Sequence, residues 1–479
     1  MLLKTTLLYL PAQIIGPFAQ LVAMIVWTHL VDEPTLGVIT LVTATHELMQ
    51  IVFLAWWSQY ALRFLGRYHD NNDASRFYQT ENTVLLASCL LQSTVVLIVL
   101  FRVIAPDANT GLAIATIAYV ATRTLNLYCG ERARARHQVG VYTIQQVVGP
   151  LFGFLIGLVL IKLIGRSAEW PLAGYAIAQF IAAIIVLPWI GCGRGLGRFD
   201  REIVDHALRY GLPLIVGGAL GWIGLNASRF VVNEAMGVAA AGLFAVGYGL
   251  GQRAATFAAM LVTAAAFPLA VKSMERYGSR VAMRQLADNS ALLIAILAPS
   301  IVGIFVLRNE IVQLTIARPF QEVTLAILPL SMLAGSIRSL RAHFVDQTFL
   351  LHNRTGLLAI VAAVDAATTL VLSFVFVHRW GLTGGAMATV AAASTAAVVS
   401  LAIAVSKFDL RLPLDHLVPI AVATAVMAAV LTLLPAASSL LFVALHIALG
   451  AAAYIATLVP FYAPFLFRQF RLRQRSSEA

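Results

Sequence analysis

The chain has 479 residues, of which 60% are hydrophobic and 11% charged, with 33 lysines and arginines against 22 acidic residues and a net charge of +11. Soluble domains carry roughly 45–50% apolar and about 25% charged residues, so this composition cannot cover a water-exposed surface. A disordered chain would be less apolar still, and the composition predicts an all-α polytopic membrane protein.

Apolar stretches of about 20 residues, enough for one helical crossing, predict fourteen spans. They run over 7–30, 36–60, 82–104, 109–129, 141–164, 171–191, 211–232, 238–264, 287–307, 322–345, 356–377, 383–405, 416–434 and 438–462. The connections are short and rich in Gly, Pro and Asp, as in Val31-Asp32-Glu33-Pro34 and Arg379-Trp380-Gly381. Before residue 20 there is one lysine and no small-residue cleavage pattern, so the first stretch reads as a retained span.

The basic residues are almost all arginines; Lys4, Lys162, Lys272 and Lys407 are the lysines. With the N-terminus inside, twenty-two basic residues fall in inner segments and seven in outer ones. The positive-inside rule therefore predicts both termini in the cytoplasm. Charge spread over short loops faces anionic phospholipids rather than nucleic acid. The tail from Arg468 to Arg475 reads as a headgroup anchor. Cys89, Cys129 and Cys192 have no metal-binding or disulfide spacing.

A weak internal echo links Gly37 with Gly242, and Gly174 with Gly384 and Gly385, at offsets near 205–211 residues. Such offsets predict two six-span lobes of the same orientation, related by a pseudo-twofold axis. The expected organisation is an N-lobe over 1–191 and a cytoplasmic linker over 192–210. A C-lobe over 211–405 follows, then two further helices and a basic tail over 406–479.

Several short motifs share a family pattern. His29-Leu30-Val31-Asp32-Glu33-Pro34-Thr35-Leu36-Gly37 closes the first span and opens the second. Leu208-Arg209-Tyr210-Gly211-Leu212-Pro213-Leu214 leads into the second lobe. Gly242-Leu243-Phe244-Ala245, Phe267-Pro268-Leu269-Ala270 and Trp380-Gly381-Leu382-Thr383-Gly384-Gly385-Ala386 follow in order. Together they resemble the MOP exporter superfamily, in its polysaccharide (Wzx-type) flippase branch. The pattern departs at Asn226-Ala227-Ser228-Arg229-Phe230, where relatives often carry an acidic residue before the arginine. Fourteen spans resemble this branch more than the twelve-span MATE drug exporters. The resemblance implies a V-shaped, two-lobed fold that alternates access by rocking. It implies an undecaprenyl-pyrophosphate-linked oligosaccharide as substrate, turned to the periplasmic leaflet of the bacterial inner membrane. Polymerase and export machinery are the implied neighbours.

Ionisable residues within spans are expensive unless they face protein or water, and so mark candidate sites. Arg253, beside Gln252 midway along the eighth span, is a candidate phosphate or sugar-acid ligand, because a guanidinium donates paired hydrogen bonds and stays charged. Its structural alternative is an arginine satisfied by helix carbonyls. Arg123 in the fourth span shares a face with Asn126, with snorkelling to the interface as the rival. Arg338 and Arg341, three apart in the tenth span, either receive a pyrophosphate or serve as positive-inside anchors. Arg229 near the outer end of the seventh span either binds substrate or reaches headgroups.

His46-Glu47-Leu48-Met49-Gln50 falls short of HExxH, since Gln50 stands where the second metal ligand is needed. Glu47 with His46, and Asp365 midway along the eleventh span, are candidates for proton or sodium coupling. Their alternative is a hydrogen-bonded carboxylate that orders helix packing. Asp346 and Gln347 read as interfacial. No cofactor is expected. The chain has no Walker A loop and no GxSxG elbow.

These readings predict a secondary transporter that flips lipid-linked oligosaccharide. A MATE-like exporter of cationic drugs fits less well, because the deep arginines outnumber the deep acids. A membrane-embedded polymerase or ligase would need a sizeable outer loop, and the longest here, roughly 308–321, has about a dozen residues.

Overall fold

The computed structural model describes residues 2–70, 74–190 and 199–477. Cys192 and residues 192–198 of the expected linker lie outside the described residues, as do the side chains of Lys4 and of Arg468–Arg475. The described chain is helical with short connections. In order it comprises α1 (Leu2–Leu30), α2 (Glu33–Gln50), α3 (Trp56–Asp70), α4 (Ala74–Val99), α5 (Thr110–Ala135), α6 (Val139–Leu163), α7 (Glu169–Ile190) and α8 (Arg201–Met236). Next come α9 (Val238–Tyr277), α10 (Ser279–Thr315), α11 (Arg318–Leu340), α12 (Asp346–Leu351), α13 (Gly356–Phe408), α14 (Leu414–Leu433) and α15 (Leu440–Ser477). Among the described residues, eleven helices are long and apolar enough to cross a membrane. Each expected span lies, to within two residues at its ends, in one of the described helical stretches, with α1 and α9 holding the two that are not among these eleven.

Helix starts follow from capping chemistry. The Asp32 carboxylate accepts from the Thr35 amide at 3.0 Å with Pro34 in the first turn, so Asp-Glu-Pro-Thr is the start of α2. Asn109 caps α5 through the Leu112 amide at 2.7 Å, and Asp200 caps α8 through the amides of Glu202 and Ile203. At 53 residues α13 would run about 80 Å, more than twice a bilayer core. It breaks at Trp380-Gly381, where Gly381 takes φ 58° and ψ −140°, conformations open to glycine. The Trp-Gly-Leu-Thr-Gly-Gly motif is thus the turn between two spans.

Two elements outrun their expected ends. The second span continues as α3 to Asp70, because Trp56–Asp70 is amphipathic and packs its aromatic face while Arg63 and Arg67 stay exposed. The fourth span extends six residues past 129, since Arg132 finds a buried partner there.

Three π-helical turns interrupt the spans, at Ile51–Ala55, Leu100–Ile104 and Arg341–Val345. A π turn disturbs the regular backbone ladder, and in each a side chain meets a carbonyl oxygen. The Phe53 carbonyl accepts from the Ser88 hydroxyl at 2.7 Å and the Trp56 indole at 3.0 Å. The Val103 carbonyl accepts from Asn233 at 2.9 Å, and the Ala342 carbonyl from Gln347 at 3.0 Å.

The chain divides into two compact units, Met1–Val246 with Ala362–Ala392, and Gly247–Val361 with Ala393–Ala479. In the first, α7 turns Gly174, Ala178 and Ala182 inward and leaves Ile177, Phe180, Ile181 and Ile184 exposed. Small residues inside with large apolar ones outside are the pattern of a helix packed against protein and facing lipid. A Cβ at Gly174 would lie 2.8 Å from the Gly153 carbonyl of α6, so Gly174→Leu is expected to force these helices apart and lower the yield of folded protein in detergent size-exclusion. The two echoed glycines meet each other here: a Cβ on Gly242 would lie 2.8 Å from the Gly37 amide, and one on Gly37 would strike the Val238 carbonyl. The aromatic core of this unit gathers Trp57, Tyr60, Phe77, Tyr78 and Tyr128 around Ile203, Val204 and Ala207 of α8.

In the second unit Gly247 and Gly251 of α9 and Gly335 of α11 bring those helices into close contact. A separate core joins Met283, Leu286, Phe344, Phe349 and Leu410.

Candidate functional site

The interior of the first unit holds a chain of polar side chains that links five helices around α5. His46 and Gln50 lie one turn apart on α2 and share a face. The His46 ring is 3.1 Å from the Thr124 hydroxyl, Thr124 donates to Gln92 Oε1 at 3.1 Å, and Gln92 Nε2 donates to Gln50 Oε1 at 3.2 Å. Thr124 has one hydroxyl hydrogen and gives it to Gln92, so His46 Nε2 carries the proton and donates to Thr124. All three of His46, Thr124 and Gln92 are buried, and Tyr119 meets the imidazole edge-on at 5.8 Å.

On the neighbouring face of α5, Arg123 Nη1 donates to Asn126 Oδ1 at 3.2 Å. The Asn126 amide donates to Gln145 of α6, and Gln145 Nε2 donates to the Ala182 carbonyl of α7 at 3.1 Å. Thr122 donates to Gln179 of α7 at 3.2 Å. Asn126, Gln145 and Gln179 are buried while Arg123 is half-buried. The guanidinium is therefore held at one nitrogen by a buried amide relay, with donors left over for a ligand. Because α5 continues to Ala135, Arg123 sits at the midpoint of a helix about 39 Å long.

Glu47 does not share the burial of His46. Its side chain is exposed, so the buried carboxylate expected beside the histidine is not found. Among the described residues, no three His, Cys, Asp or Glu side chains converge to hold a metal ion. Asp365 is buried as expected. It begins a polar face on α13 that continues through Thr369 and Ser373 and packs on Gly224 and Ser228 of α8. Thr369 Oγ1 lies 3.4 Å from both Asp365 Oδ1 and the Gly224 carbonyl, and the Ser228 and Ser373 hydroxyls are 2.8 Å apart. Gly224 leaves room for the acid, since a Cβ there would lie 3.3 Å from Asp365 Cγ. Arg229 follows on α8, half-buried.

In the second unit Arg338 is buried and reaches the Tyr248 hydroxyl at 3.4 Å. Arg341 opens the π turn and pairs with Asp346 at 3.4 Å, whose other oxygen accepts from Ser400 at 2.6 Å. The two arginines thus have separate partners, and Asp346 joins its own helical stretch to α13 through Ser400. Gln252 donates to the Ser331 carbonyl of α11 at 3.2 Å. Arg253, half-buried, lies off the glycine face that packs against α11.

A buried ion pair escaped the sequence reading. Arg132 of α5 pairs with Glu81 of α4, each side chain 1% exposed. The Trp57 indole donates to Glu81 Oε1 at 3.2 Å, and the guanidinium stacks over Tyr78 at 4.4 Å.

Long apolar helices tied together by cross-helix polar chains define a multi-pass membrane protein, and its fold is that of solved MOP superfamily structures. Among solved structures the chain resembles the lipid II flippase MurJ in an inward closed conformation. The TM-score is 0.76 at 14% identity, over 96% of this chain and 100% of that one. It also resembles an inward-facing multidrug resistance MATE transporter of the MOP superfamily, with TM-score 0.58 at 14% identity over 84% and 98%. A further similar structure is a MOP superfamily transporter from Pyrococcus furiosus, with TM-score 0.55 at 15% identity over 85% and 94%. No curated protein matches by sequence. Residues 2–274 match the family model described as polysaccharide biosynthesis protein, and the chain belongs to that family.

Proposed function

We propose that this protein is a secondary transporter that flips undecaprenyl-pyrophosphate-linked oligosaccharide across the bacterial inner membrane by alternating access, for surface polysaccharide synthesis. The observation that carries the reading is Arg123, a half-buried guanidinium at mid-helix whose amide relay leaves donors for an anion. Membership of a polysaccharide biosynthesis family supports the substrate class. In the first unit Arg123 is the leading candidate for the pyrophosphate or an acidic sugar, with Arg229 a second; in the second unit the candidates are Arg253, Arg338 and Arg341. Both termini lie in the cytoplasm, and product is passed to polymerase and export machinery. Asp365, with Thr369 beside it, is the better placed acid for proton or sodium coupling, and His46 is the alternative proton carrier. Glu47, exposed, contributes charge to the surface of α2.

Complementation of a deletion strain, read by extracting undecaprenyl-linked oligosaccharide, tests this. The deletion is expected to accumulate intact lipid-linked repeats in the cytoplasmic leaflet and to lose surface polymer. Repeats that still reach the periplasm, with raised drug sensitivity, would establish a MATE-like exporter instead. In the complemented strain Arg253→Ala is expected to abolish surface polymer while membrane insertion is unchanged; normal polymer from that variant would remove Arg253 from the substrate path.

A further inference from the structure

We propose that the basic end of the first unit holds one anionic phospholipid, its phosphate gripped by Arg63 and Arg67. Both arginines are exposed and follow each other by one turn on α3. Neither guanidinium is loose. Arg63 lies over the Tyr210 ring at 5.4 Å and the Phe64 ring at 5.6 Å, and Arg67 lies over Phe64 at 5.3 Å. Stacking on a ring face leaves the N–H edges of a guanidinium directed outward, the geometry that suits a phosphate.

The rings that support them are themselves fixed. Phe64 meets Tyr210 edge-on at 5.4 Å and packs on Tyr60 at 4.8 Å. The Tyr60 hydroxyl bonds Tyr68 at 2.8 Å and His206 Nδ1 at 3.1 Å. This platform belongs to the aromatic core of one unit, so it is built before any lipid arrives. Of the nearby acids whose side chains are described, Asp205 pairs with Arg209 at 2.8 Å, Glu202 faces Arg76 at 3.7 Å, and Asp200 pairs with Arg76. Among the described residues no carboxylate pairs with Arg63 or Arg67.

Two counts along different helices agree on depth. A 30 Å core takes about 20 residues, so from Leu36 it ends near Trp56, and Arg63 lies about 10 Å beyond. Counted back from Met236 the core ends near Val216, and Tyr210 lies about 9 Å beyond. Helical side chains lean toward the N-terminus, which for α3 is back toward the lipid phosphates. The acyl side is present too, since Leu212 and Val216 of α8 are exposed one and two turns from Leu208. By the arginine distribution this end faces the cytoplasm, the leaflet where anionic lipids attract basic residues.

The full-length protein in bilayers of equal phosphatidylglycerol and phosphatidylcholine, washed into detergent, tests the site by native mass spectrometry of retained lipid. Wild type is expected to retain phosphatidylglycerol over phosphatidylcholine, and Arg63→Gln with Arg67→Gln to lower that preference about tenfold or more. Arg209→Gln, whose charge is taken by Asp205, is expected to leave it unchanged. Arg67→Gln alone, which keeps the Tyr210 stack, is expected to reduce it at least about twofold and serves if the double variant does not fold. The proposal is overturned if wild type shows no preference or if both arginine variants keep it. It is equally overturned if added undecaprenyl pyrophosphate displaces the lipid from wild type and loses its own binding in the variants, which would make this a substrate site.

Discussion

Arg132→Leu, with Glu81 left in place, is expected to destabilise the protein by about 3–5 kcal/mol, because it strands a carboxylate that is 1% exposed. The Trp57 indole and the Tyr128 hydroxyl still serve that carboxylate, but neutral donors do not replace a stacked guanidinium. Glu81→Gln is expected to cost less, since the amide oxygen still accepts from Trp57 and Arg132 keeps its Tyr78 stack. Combining Glu81→Leu with Arg132→Leu removes both charges, and is expected to recover much of the loss. Thermal unfolding of the purified protein in detergent, followed by tryptophan fluorescence, measures all three. A double variant no more stable than Arg132→Leu would show that the pair contributes through shape rather than charge.

The second large effect concerns transport and leaves the fold intact. Arg123→Ala is expected to reduce surface polymer by about ten- to a hundredfold, the scale of losing one charge-assisted contact. Insertion is expected to stay normal because the side chain is half-buried and bonds only Asn126 among the described residues. Arg123→Lys keeps the charge but gives up the planar fork, and should restore only part of the activity. Asn126→Ala tests the relay: the guanidinium remains but loses its anchor, so a smaller loss is expected. Lipid-linked repeats retained in the cytoplasmic leaflet are the readout. If Arg123→Ala makes normal polymer, the site of pyrophosphate recognition lies elsewhere.

The crossing helices were legible in the sequence because a bilayer imposes one length on all of them, and each of the fourteen apolar stretches lies in a helix. Helix ends were less so. Residues 61–70 read as a loop by their charge, yet Phe64 packs on His206 and Tyr210 of α8, more than 140 residues away. Arg132 was assigned to an inner loop for the same reason, and nothing local to it announces Glu81. The burial of Asp365 is legible from its place in an apolar run, and the spacing of Asp365, Thr369 and Ser373 marks one polar helix face. The same holds for His46 and Gln50. Gln92, Gln145 and Gln179 carry no such signal: nothing local distinguishes them, and their role comes from partners on other helices.

The π turn at Ile51–Ala55 also sets a rule for changes in chain length. It places one extra residue in a turn, so that everything after it is rotated by about a quarter-turn relative to what precedes it. His46 and Gln50 on one side reach α4 and α5, while Trp57 and Tyr60 on the other reach Glu81 and His206. Deleting one residue there would give a regular and locally more comfortable helix. It would also leave the two ends out of register, so that either the polar chain or the aromatic core could form but not both. The second span is therefore a segment in which most positions accept substitution more readily than the segment accepts a change in residue number.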